Sequence, residues 1–184
     1  MTTFEFAFSL FGLLLGFTLV EVLAGIVRTT RSKGLATRQL YLTTALGVLV
    51  SLDLITFWTV LYAVRDSVPG HTLALYVGFL ISGAYYWAAS MIFPDAGKAS
   101  ADLDAHYFRV RRKVLGAVIG CNFAMIVSVT AILGRMPPFV GHVEFAFSMG
   151  LLIAVMLVRS KTLSAVLLTA LILDYIGWAI LGVL

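Results

Sequence analysis

Glu21, Asp53 and Asp174 each fall inside a long apolar run of this sequence. A carboxylate near the middle of a bilayer costs about 2.5–3.5 kcal/mol on insertion scales. It therefore faces the interior of a helix bundle, where it serves a proton or ion path or ties helices together. Asp53 and Asp174 lie about twelve residues from the ends of their runs, near the middle. Glu21 lies about two turns from the end of the first run, with Arg28 seven residues on and nearly on the same side. Thr56 follows Asp53 by three residues, on the same helix face and within hydrogen-bonding reach. These four residues form a candidate proton relay or small-cation site. The two runs that hold the aspartates contain no Lys, Arg or His, so these acids are expected to be protonated, to hold a cation or to line a wet cavity.

The elements that must carry them are six apolar runs, at about 6–27, 41–64, 73–93, 114–133, 140–158 and 163–184. A hydrocarbon core of about 30 Å needs about 20 apolar residues per helix, and all but the fifth reach that length. The fold expected is all-α, a polytopic membrane protein with six transmembrane helices in one bundle and a single domain over 1–184. Hydrophobic residues make up 61% of the chain and charged residues 12%, about half the charge of a soluble domain. The net charge of +4 does not point to nucleic acid, because the basic residues are distributed by topology.

Eleven of the 13 Lys and Arg residues follow the first, third and fifth runs; only Arg65 and Arg135 lie on the other side. Positive-inside bias places those three turns in the cytoplasm and both termini outside it, in what is expected to be the cytoplasmic membrane. Arg109, Arg111, Arg112 and Lys113 stand together before the fourth run and are expected to meet anionic lipid headgroups.

The same loop carries Asp102, Asp104 and His106, a loose candidate set for a divalent metal. Helix capping is the better account: Asp102 precedes a helical start, and acids in a first turn suit the helix dipole. His71 and His142 fall in the other loops, so paired axial ligands for a haem between helices are missing, and no cofactor is expected. Cys121 sits beside Asn122 without a base in its own helix, and no nucleophile–base pair is visible, which puts an enzyme last. Gly16 to Glu21 resembles the cleavage signature of type IV prepilins, but the preceding residues are apolar rather than basic and Arg28 interrupts the helix that should follow.

A faint repeat runs through the chain. Glu-Phe-Ala-Phe-Ser occurs at 5–9 and again at 144–148, Arg-Ser-Lys at 31–33 and 159–161, and Leu-Asp at 52–53 and 173–174, followed by Trp58 and Trp178. Their common order suggests a parallel duplication of helices 1–2 as helices 5–6. Gly12 and Gly16, Gly78 and Ser82, and Gly116 and Gly120 each stand four apart, a spacing that lets helix backbones approach. Tyr85, Tyr86 and Trp87 lie deeper, where they either pack between helices, the better account, or line a cavity, whereas Trp58, Tyr62 and Trp178 are placed as interfacial aromatics.

The function expected is a small proton or cation channel or transporter, assembled as a homo-oligomer if it forms a pore. The alternative is a non-transporting scaffold or accessory subunit that binds partner helices and anionic lipid.

Overall fold

A computed structural model describes residues 3–31, 37–67, 72–94, 102–136 and 143–181, leaving aside the side chains at 3–7, 37–39, 72, 143–144 and 181. The helices among them are α1 (Thr3–Thr30), α2 (Thr37–Ala63), α3 (Thr72–Ile92), α4 (Leu103–Leu133), α5 (Val143–Leu157) and α6 (Lys161–Leu181), and a short 3-10 turn spans Arg65–Ser67. No strand occurs among the described residues. An apolar environment offers backbone N–H and C=O groups no other partners, and a helix satisfies nearly all of them within its own segment. Five of these helices are long and apolar enough to cross a membrane; α5 is shorter, with an apolar stretch of Phe145–Leu157.

Polarity is arranged inside out. Leu13, Phe17, Val20 and Leu23 on α1 are exposed, as are Leu73, Tyr76, Phe79 and Leu80 on α3 and Val166, Leu173 and Ile180 on α6. Contiguous apolar surface of this kind is foreign to a water-exposed monomer and suits hydrocarbon. Polar side chains turn inward instead: Asp53, Arg111, Asn122, Ser82 and Ser164 are all buried.

Side-chain contacts show how the helices alternate. His106 Nε2 near the start of α4 lies 3.2 Å from the carbonyl oxygens of both Met91 and Ile92 at the end of α3. Lys161 Nζ at the start of α6 donates to Asp104 Oδ2 at 2.7 Å. Arg111 Nη1 donates to the carbonyl of Val155 in the last turn of α5. The ends of α3 and α5 thus meet the starts of α4 and α6 at one end of the bundle. That end also carries Arg109, Arg112, Lys113 and Arg159, all exposed. Helices α2 and α4 hold the centre: α2 packs against α1, α3, α4 and α6, and α4 against α2, α3 and α5.

Helix α4 begins well before the expected span at 114. Asp102 caps it, its Oδ1 accepting from the backbone N–H of Asp104 and Ala105, and the basic cluster then rides on continuous helix. One consequence corrects the sequence reading. Arg111, expected at lipid phosphates with its neighbours, is 2% exposed and points into the bundle. Its guanidinium reaches the negative end of α5 and Ser164 Oγ at 3.3 Å, and it lies over the Phe108 ring. A cation gains in that position from the carbonyls of a helix C-terminus. The helix ends at Gly134, whose φ of 65° is the left-handed conformation that a C-terminal glycine takes without steric cost.

Aromatic rings, rather than neighbouring backbones, fill two of the small-residue faces. A Cβ at Gly12 would stand 2.7 Å from the Trp58 indole, and one at Gly78 would run into the Phe11 ring. Trp58 is accordingly a packing residue between α2 and α1, its ring centroid 4.0 Å from that of Phe8. Gly16, Gly116 and Gly120 face open space. Of the earlier candidates, His71, His142, Lys33 and Lys98 lie outside the described residues, as do the side chains of Glu5 and Glu144.

Candidate functional site

Asp53 is 2% exposed, and three other helices converge on it. Tyr85 of α3 donates its hydroxyl to Oδ2 at 2.6 Å. Tyr175 of α6 donates to Oδ1 at 2.6 Å, and Asn122 of α4 donates its Nδ2 to the same oxygen at 2.9 Å. The Asn122 amide also donates to the carbonyl of Val118, one turn back on its own helix. The Tyr85 ring is held in turn by Phe57, centroid to centroid 5.5 Å. Four helices are thereby joined at one carboxyl group, and every donor is neutral. The buried Arg111 is not its counter-ion: eleven residues separate it from Asn122 along α4, about 16 Å of rise.

Beside this knot lies a cavity of about 70 Å³ between α2, α4, α5 and α6. Its polar lining is Asp174, Ser148, Thr56, Asn122 and Tyr175, closed by Phe145, Met149 and Trp178 among others. Asp174 is half-buried, and Ser148 Oγ of α5 donates to its Oδ2. The space admits a few waters or a small, partly hydrated cation, but not an organic solute. Asn122 and Tyr175 belong to both features: they line the cavity on one side and hold Asp53 on the other.

The path from Asp53 toward the basic end of the bundle is dry. Leu46, Leu49 and Val50 of α2, Ala88, Ala89 and Ile92 of α3, and Leu115 and Val118 of α4 fill it, each at most 1% exposed. Apolar side chains several layers deep bar water from that direction.

The expected site residues are therefore placed unequally. Asp174 and Thr56 line one cavity, and Asp53 lies one hydrogen bond behind it. Thr56 does not serve Asp53 in the manner expected, because the partners of Asp53 come from other helices. Glu21 stands apart on α1, half-buried, with its Oε1 3.8 Å from Arg28 Nη2. Asp102, Asp104 and His106 each have separate work as cap, ion-pair partner of Lys161 and neighbour of the α3 carbonyls. No group of three residues able to hold a metal ion occurs among the described residues. Tyr85 is buried at the knot, while its neighbours Tyr86 and Trp87 are exposed.

The sequence reading missed Asn122 and Tyr175 as partners. The available signal was an amide in the middle of an apolar run, and a tyrosine next to Asp174. Buried polar atoms in hydrocarbon require partners, and those two side chains were free to supply them. No protein-family model matches the chain, and no curated protein or solved structure matches it. The chain is thus a membrane-compatible helical bundle in which the buried Asp53 is hydrogen-bonded from three other helices.

Proposed function

We propose that this chain is an integral protein of the cytoplasmic membrane that binds and moves protons or small cations through Asp174 and Asp53. The observation that carries the reading is the sharing of Asn122 and Tyr175 between the Asp174 cavity and the Asp53 knot. A proton or cation entering the cavity meets Asp174 first. Hydroxyl and amide groups that contact both sides then link it to Asp53. The apolar layers beyond Asp53 make this a state closed toward the basic end, as alternating access requires of one of its states. Glu21 has no part in this path.

The proposal includes six spans, with α5 as a short fifth. Both termini lie on the non-cytoplasmic side, as the 11-to-2 division of basic residues supports. It keeps the duplication of α1–α2 as α5–α6, supported by the contact of Tyr175, next to Asp174, with Asp53. A homo-oligomer is part of it too. The exposed Gly116 and Gly120 face of α4 suits close helix approach, and Arg109, Arg112 and Lys113 are available to anionic lipid. Purified protein in liposomes, assayed for proton and cation flux with and without Asp174→Asn, tests the reading.

One observation favours a second reading. Both oxygens of Asp53 are occupied by donors, as interhelical glue in a scaffold would have them. A scaffold has no flux in the wild type and tolerates Asp174→Asn silently.

A further inference from the structure

Tyr85 and Tyr175 both donate to Asp53 at 2.6 Å, but their surroundings differ. Tyr85 is 1% exposed and takes no part in lining the Asp174 cavity. Tyr175 is half-buried and does line it. The Tyr175 hydroxyl also interacts electrostatically with the carboxyl groups of both Asp53 and Asp174. One phenol therefore stands between the two acids.

What can pass that phenol is limited by space. Asp53 is 2% exposed, with Tyr175 and Asn122 bonded to Oδ1 and Tyr85 to Oδ2. A metal cation reaching the carboxyl must displace these donors and find oxygen ligands in place of its water. Asn122 is poorly suited to become one. Its Nδ2 donates to Asp53 and to the Val118 carbonyl together, and turning the amide oxygen toward a cation breaks both bonds. Behind Asp53, the buried Leu49, Val50, Ala88 and Ala89 offer no side-chain oxygen.

A proton needs no such room. The cavity of about 70 Å³ holds about two waters, enough to carry a hydrated proton to its wall. A phenolic hydroxyl that donates one hydrogen bond still has lone pairs with which to accept another. As a proton from that water bonds to Tyr175 Oη, the original Oη–H bond breaks and its hydrogen passes to Asp53 Oδ1. The cavity is left with neutral water and Tyr175 with a neutral phenol. The ionised carboxylate has become a carboxylic acid whose O–H donates back to Tyr175. Once Asp53 has released that proton, rotation of the phenol hydrogen restores the relay.

We infer that only protons reach Asp53, passed from the cavity by the Tyr175 hydroxyl, and that metal cations go no further than Asp174. The inference rests on the carboxylate reading above and narrows it to one ion.

The test uses the purified full-length chain in liposomes. Proton flux is followed with an entrapped pH-sensitive dye, and metal-ion flux as uptake of radioactive sodium and rubidium. Wild type should carry protons, while sodium and rubidium uptake should match that of empty liposomes. Tyr175→Phe should lower proton flux roughly a hundred-fold, as loss of a positioned proton-transfer group does. Tyr85→Phe removes an equally short bond to the same carboxyl and should cost less than about five-fold, the effect of one hydrogen bond. Elution volume and helical circular dichroism report whether both variants fold. If Tyr175→Phe does not fold, the ion selectivity of the wild type decides the matter.

Equal losses in the two folded tyrosine variants would overturn the inference, since Tyr175 would then only hold Asp53 in place. Sodium or rubidium flux through the wild type would overturn it as well. Where Asp53→Asn abolished that metal flux, the carboxylate reading would stand without the inference. Absence of flux for every ion would overturn both.

Discussion

The Tyr175 hydroxyl lies 2.6 Å from Oδ1 of Asp53, tying the last helix to the second at the centre of the bundle. Tyr175 follows Asp174 directly in the chain, so the same turn of α6 presents one carboxylate to the small cavity and a donor to the other carboxylate. This places the two acids at related depths without bringing them into direct contact.

Asp53 should be far more tolerant of Asn than of Leu. Asparagine keeps a carbonyl oxygen for Asn122 and one tyrosine, and the second tyrosine hydroxyl can turn to accept from the new amide. Leucine leaves three buried donors without an acceptor, at roughly 1–3 kcal/mol each if nothing relaxes. Thermal unfolding in detergent should show a small loss for Asp53→Asn and a severe one for Asp53→Leu. Equal losses would mean that the carboxyl contributes volume and not bonding.

Arg111 and its neighbours should separate cleanly. Arg111→Met removes the contact with the last turn of α5 and with Ser164, so hydrogen exchange should accelerate across 155–164. The preference of the detergent-solubilised protein for phosphatidylglycerol over phosphatidylcholine should be unaffected. Replacing the exposed Arg109, Arg112 and Lys113 with Gln should do the reverse, weakening that preference and leaving the exchange pattern alone. A weaker preference in Arg111→Met would return that residue to the lipid surface.

Topology is open to a direct check. A C-terminal reporter that works only outside the cytoplasm should be active, and one at the loop between α3 and α4 should be silent. The opposite pattern would invert the membrane orientation and the direction from which the Asp174 cavity is loaded.

The helical fold was legible because hydropathy alone reports it: runs of about 20 apolar residues have few other structures open to them. The candidate carboxylates were legible for the same reason, since Asp53 and Asp174 interrupt such runs. Their partners were not. Tyr85, Asn122 and Tyr175 come from three helices separated by up to 122 positions from Asp53, and helical periodicity within one segment carries no information about which faces meet. Arg111 was misplaced because charge predicts the membrane boundary, whereas a helix C-terminus from elsewhere in the chain can draw a cation inside. The glycine spacing was read as close approach of helix backbones; at Gly12 and Gly78 the rings of Trp58 and Phe11 stand there instead, and Gly16, Gly116 and Gly120 face open space.

The most direct measurement is proton and cation flux into liposomes containing the purified chain, compared among wild type, Asp174→Asn and Asp53→Asn. The account predicts flux in the wild type and at least a ten-fold loss in both variants, each still folded and inserted. Asparagine retains size and hydrogen bonding but cannot titrate. Full flux through a folded Asp174→Asn protein, or no flux of protons or common cations through the wild type, would contradict it and leave Asp53 as the bond that holds a scaffold together.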